Sequence, residues 1–177
     1  MDVPMNRRRF LVGSGTVALG VGAGALYWPR RWHYIVIHHS AGSYGTIEFL
    51  QQVHRERQAD DLVNAIPYHY VIGNGNGLAM GEIASDWRKD YNIWGAHVSV
   101  HNPARNFLGI GICLIGNFDE AEVPAGQFEA LVRLTRELMA RYNIPASNVG
   151  FHGKIEGETT HCPGSKFPFD ALRQAIA

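Results

Sequence analysis

Four residues in this sequence have the types and settings for metal chemistry: His38, His39, His152 and Cys162. The segment FHGKIEGETTHCPG places His152 and Cys162 ten positions apart, with Thr160 two residues before the cysteine. Far upstream, the run YIVI ends in His38-His39. Imidazole nitrogen and thiolate sulfur both suit zinc (Zn2+), whose borderline softness accepts mixed ligand sets. A hydrolytic zinc takes three protein ligands and keeps a fourth position for water. The separation of His152 from Cys162 is not a zinc-finger spacing, and a histidine at a strand end is commonly just a hydrogen-bonded loop residue. The chemistry therefore depends on whether the fold carries an upstream histidine to the downstream pair.

The elements that would do so can be read from patterning. HYIVIHH (33–39) has the β-branched and aromatic richness of a strand, and NVGFH is a second, shorter one. Were these two strands neighbours, His38 and His152 would lie side by side, and the excursion after His152 could return Cys162 to them. Successive strand residues face opposite ways, so only one of His38 and His39 can ligate; alternation does not choose between them. Thr46 is placed to cap a helix running to about Gln58. IPYHYVIG and LAMGEI read as a hairpin across Asn74-Gly75-Asn76-Gly77. A loop rich in Trp, His and Asn follows from Trp87 to Asn106. LGIGICLIGNF is apolar enough for a strand buried on both faces. Pro124 opens a helix with Leu131, Thr135, Leu138 and Tyr142 along one stripe, stopped at Ile144-Pro145, and PFDALRQAIA forms the last helix. Strands alternating with helices around a hairpin predict one α/β domain over residues 33–177, with a central mixed β-sheet flanked by helices.

The bulk properties agree with one compact domain. The chain has 177 residues, 46% of them hydrophobic, and its formal net charge is zero. No basic excess is available to neutralise phosphates, so nucleic acid is not an expected partner. Residues 1–28 stand apart. Arg7, Arg8 and Arg9 precede an apolar run from Phe10 to Trp28 with small residues at Ala23-Gly24-Ala25, the pattern of an export signal. Twin arginines before an apolar pair resemble the twin-arginine type, which carries folded cargo. A retained membrane anchor is the alternative, because the run is just long enough to span a bilayer. Either way the domain is expected outside the cytoplasmic membrane, periplasmic or extracellular, touching the membrane only through an uncleaved signal. Of the two cysteines, Cys113 sits inside the apolar strand and reads as a small hydrophobe, whereas Cys162 sits in a Gly/Pro-rich loop. A disulfide between them, in a protein without metal, is the structural alternative.

The segments YIVIHHSAG, IPYHYVIGNGNG, WGAH, NFLGIGICLIGNF and GFHGKIEGETTHCPG, in this order, resemble the zinc-dependent N-acetylmuramoyl-L-alanine amidases. That superfamily includes the phage-lysozyme-type amidases and the peptidoglycan recognition proteins. The likeness runs from His33 to the C-terminus. It implies that His38, His152 and Cys162 are the metal ligands. It also implies that Tyr68 faces the catalytic water and that Thr160 helps stabilise the oxyanion. His97 and Asn106 match positions lining the substrate groove, where Trp94 could stack on sugar or peptide. A cytoplasmic branch carries Asp as third ligand and a catalytic Glu; here those positions hold Cys162 and Cys113, so the chain resembles the tyrosine-using branch.

The implied reaction is hydrolysis of the amide joining N-acetylmuramic acid to L-alanine in peptidoglycan or a muropeptide. Zinc would acidify the attacking water and polarise the carbonyl. A non-catalytic muropeptide-binding module is the rival from another class. Such modules typically lose the cysteine ligand, which this chain keeps.

Overall fold

The computed structural model describes residues 28–177 of the chain. The export segment expected over residues 1–28 lies, apart from Trp28, outside the described residues. Among the described residues, no helix is long and apolar enough to cross a membrane. A 3-10 turn spans Trp28–Arg30, and the Arg31 guanidinium stacks 3.9 Å from the centre of the Trp28 ring.

From Trp32 onward the chain builds one sheet and its covering helices. The strands are β1 (Tyr34–His39), β2 (Tyr70–Ile72), β3 (Ile83–Ser85), β4 (Gly109–Leu114) and β5 (Val149–Phe151). Their order across the sheet is β3-β2-β4-β1-β5. β1 runs parallel to both β4 and β5, β2 is parallel to β4, and β3 is antiparallel to β2, which makes the sheet mixed. The helices are α1 (Ile47–Arg57), α2 (Trp87–Asp90), α3 (Pro103–Phe107), α4 (Ala125–Tyr142) and α5 (Phe169–Ile176).

Strand alternation divides the side chains between two faces. Ile35 and Ile37 of β1, Ile110, Ile112 and Leu114 of β4, and Phe151 of β5 cluster with Leu131, Leu134 and Leu138 of α4 and with Leu172 and Ile176 of α5. Each such aliphatic side chain contributes roughly 1.5–3 kcal/mol by leaving water. The opposite face is smaller. Val71, Cys113 and Ile115 cluster there with Ile66 and with Leu50 of α1. His38 belongs to this second face, since it follows Ile37 on β1 and stands opposite Cys113 in register.

Local signals account for the ends of the helices. Thr46 caps α1, its hydroxyl accepting from the Phe49 N–H at 3.2 Å. α4 starts just after Pro124 and ends at Asn143, whose left-handed backbone (φ 55°) lets its N–H bond to the Met139 carbonyl. Two expectations need adjusting. The second hairpin strand is Ile83–Ser85 and not LAMGEI, because residues 78–82 are used in the turn. There the Gly81 N–H returns to the Gly73 carbonyl, and the Gly73 N–H bonds to the Glu82 carbonyl. The segment from Trp87 to Asn106, expected to be loop throughout, contains α2 and most of α3.

Candidate metal centre

The parallel pairing of β1 with β5 does what the patterning required. Ile37 stands opposite Phe151, so the next residues, His38 and His152, emerge together with ring centroids 4.7 Å apart. The excursion after His152 closes where the Gly153 N–H donates to the Cys162 carbonyl at 2.6 Å. Gly164 (φ +108°) turns the chain away directly after the cis Cys162-Pro163 bond, and any side chain there would meet the backbone of Phe118. One ligand atom from each of His38, His152 and Cys162 lies within 4.8 Å of the others. His38 Nδ1 is 3.8 Å from Cys162 Sγ, which also accepts the His39 backbone N–H at 3.3 Å. The His39 ring turns to the other face, where its Nδ1 accepts from the Phe118 N–H at 3.2 Å. The choice left open by strand alternation thus falls on His38 as the member of the cluster.

The far nitrogen of each clustered histidine is engaged. His38 Nε2 lies 3.1 Å from His97 Nδ1, and His97 Nε2 lies 3.5 Å from the Gly109 carbonyl. A carbonyl only accepts, so His97 carries its proton on Nε2 and presents Nδ1 as the acceptor for His38 Nε2–H. That leaves the lone pair of His38 Nδ1 facing the thiol. His152 Nε2 lies 3.0 Å from the Glu158 carboxylate, which directs its other nitrogen to the cluster in the same way. Fixing the tautomer of a ligand histidine through its outer nitrogen is the usual construction of a metal site.

Electrostatics suit the donor set to a soft-to-borderline cation. Burial first, then the neighbouring His97, His152 and His39, holds the His38 imidazole well below its ordinary range and therefore neutral. Burial also lowers His152, against the opposing pull of Glu158. The Cys162 thiol is pushed up to about 12 by burial, with the His39 N–H opposing. A thiolate is costly there unless a cation compensates, and two neutral imidazoles with a buried sulfur are the ligands such a cation would use. The cluster is capable of coordinating a metal. Both cysteines are free, so no disulfide competes for Cys162.

The other expected residues are distributed around this cluster. The Tyr68 ring lies 5.1 Å from that of His38, and burial, with the neighbouring Cys113 and Cys162 thiols, pushes its hydroxyl well above the ordinary tyrosine range. Thr160 Oγ1 accepts from the Cys162 N–H at 3.2 Å, within the ligand loop itself. His97 is buried behind His38, packed against Gly111: a Cβ at that glycine would come within 2.6 Å of the ring. Asn106 uses its whole side-chain amide on the neighbouring loop, accepting from the His97 and Val98 N–H groups and donating to the Val98 carbonyl. Trp94 leaves 42% of its surface exposed. A cleft of about 160 Å³ opens beside the cluster, with Ser40, Leu50, Tyr68, Ala96, His97 and His152 among its walls. Sequence reasoning passed over Glu158. The only available signal was a carboxylate within the ligand loop, and nothing in the pattern separated it from Glu156.

The mixed sheet thus carries a His/His/Cys cluster able to hold a metal, at the end of β1, just after the edge strand β5 and in the loop beyond it. The model of the N-acetylmuramoyl-L-alanine amidase family matches residues 28–165, and the chain belongs to that family of amidase enzymes. The N-acetylmuramoyl-L-alanine amidase LysC from Clostridium intestinale is 28% identical, with a TM-score of 0.68 over 84% of this chain and 87% of that one. Drosophila PGRP-LB is 26% identical, with a TM-score of 0.59 over 76% of each chain. An endolysin from a Thermus scotoductus bacteriophage shares the fold at 22% identity and a TM-score of 0.61, covering 82% of this chain and 85% of its own. No curated protein matches by sequence.

Proposed function

We propose that this protein is a zinc-dependent hydrolase that cleaves the amide between N-acetylmuramic acid and L-alanine of the peptidoglycan stem peptide. The observation that carries the reading is the convergence of His38, His152 and Cys162, with ligand atoms within 4.8 Å of one another. These three side chains would hold the ion. When bound, zinc supplies Lewis acidity for the scissile carbonyl and lowers the pKa of water toward neutrality.

The remaining work falls to the chain's own groups. The cleft beside the cluster admits the substrate between Tyr68, Ala96 and His97. Hydroxyls of Tyr68 and Thr160 are the donors for negative charge developing on the carbonyl oxygen. The exposed Trp94 offers a stacking face for sugar or peptide. His97 and Asn106 shape the groove, His97 as part of its wall and Asn106 by fixing the loop that follows Trp94. Residues 1–28 would deliver the domain across the cytoplasmic membrane, where such a substrate lies.

Product analysis tests this reading. A defined muramoyl-tripeptide incubated with the protein is expected to release a peptide with a free N-terminal L-alanine. Chelator and the Cys162→Ala substitution are each expected to abolish that release. Zinc retained and muropeptide bound without any cleavage would assign recognition in place of catalysis.

A further inference from the structure

Glu158 is a buried carboxylate with more partners than its place in a Gly- and Thr-rich loop suggests. Its side chain is 4% exposed. Oε1 accepts from Ser99 Oγ at 2.8 Å and from Asn102 Nδ2 at 2.6 Å. The Ser99 backbone N–H is shared between the two oxygens at 3.2 and 3.3 Å. Oε2 meets His152 Nε2 at 3.0 Å.

The Ser99 N–H and the Asn102 amide nitrogen can only donate, so both carboxylate oxygens accept, and the His152 nitrogen that meets Oε2 donates as well. His152 therefore carries its proton on Nε2, and Nδ1 is left with its lone pair for the cluster. The opposite tautomer would set a lone pair against a carboxylate and bury an unsatisfied acceptor. We propose that Glu158 is the positioning residue that fixes the tautomer and ring orientation of His152, and that Ser99 and Asn102 act through it. The same stretch of chain supplies His97, which engages His38. One segment, residues 97–102, thus orients both ligand imidazoles although it contributes no ligand. This inference rests on the zinc reading of the site.

The test uses the full chain, without metal and then with zinc. Expected in the metal-free protein is a single Nε2–H tautomer of His152 by 15N NMR, replaced in Glu158→Ala by a mixture or by the Nδ1–H form. Zinc affinity, measured by competition with a chromophoric chelator, should weaken about 10–100-fold in that variant. Glu158→Gln keeps a neutral acceptor and should fall between the parent and Glu158→Ala in both readouts. It also serves as the informative variant if the alanine protein does not fold, with thermal melting of the metal-free proteins as the check on folding. Zinc affinity in the two variants within about threefold of the parent would overturn the proposal. So would weakened affinity with His152 still a pure Nε2–H tautomer, since a general charge effect would then suffice. Failure of the parent to bind zinc would instead sink the proposed function, and the tautomer measurement would still report on Glu158.

Discussion

The two faces of the sheet are made from the same strands and serve opposite ends. On the face under α4 and α5, β1 and β4 present Ile35, Ile37, Ile110, Ile112 and Leu114, and the space is filled by aliphatic side chains. On the other face, the same strands present Val36, His38, Gly111 and Cys113, the first two from β1 and the others from β4. Gly111 supplies room instead of bulk, and the His97 ring occupies that room. The first face holds the domain together by area. The second gives up apolar area to hold imidazoles and a thiol in fixed orientations, which only the rigid backing of the first makes possible.

This contrast can be broken from either side. Cys162→Ser on the site face should have the largest functional effect, reducing amide cleavage to background while thermal melting of the metal-free protein stays near the parent's. Ile112→Ala on the packed face should do the reverse. Denaturant melts should show a loss of about 2–5 kcal/mol, with cleavage per folded molecule intact. Gly111→Ala should sharpen the comparison by touching both functions. The added methyl presses on His97, so a stability loss of about 1–3 kcal/mol is expected together with weaker zinc binding in a chelator competition.

The last effect is one of pH. Burial holds His38, His97 and His152 below the ordinary histidine range. Below a pH of about 6.5 the unfolded chain takes up protons that the folded state refuses. Stability of the metal-free protein should therefore be retained at neutral pH and lost on acidification. Each histidine contributes at most about 1.4 kcal/mol per pH unit, readable as a falling melting temperature. A flat profile through that range would show that these imidazoles are not kept neutral by the fold.

The sequence exposed the three residues of the cluster better than the residues that hold them. His38, His152 and Cys162 stand at strand ends or beside a Pro-Gly turn, where local pattern and family likeness both draw attention. Sheet type and the long helix were equally legible, because alternation and the 3.6-residue stripe are local. Glu158 and the inward role of His97 were not. Their partners, Ser99 and His38, are each 59 residues distant in sequence, and periodicity carries no information about such contacts. Asn106 was expected at the groove, yet its amide is consumed by backbone groups of residues 97 and 98, a loop geometry with no signature in composition. The β3 strand was displaced because turn hydrogen bonds between Gly73, Gly81 and Glu82 took residues that by pattern alone could have paired.

The placement of the three candidate ligands has a consequence for folding as well as for chemistry. His38 belongs to the first strand and Cys162 to the loop after the last, 124 positions further along. A cation held by both would act as a removable cross-link, restricting the unfolded chain as a disulfide of that span would, by an amount on the order of 5 kcal/mol in the simple entropy treatment. Metal loading would then be recorded in the unfolding curve before any substrate is added, and chelation would loosen the domain from both ends of its chain at once.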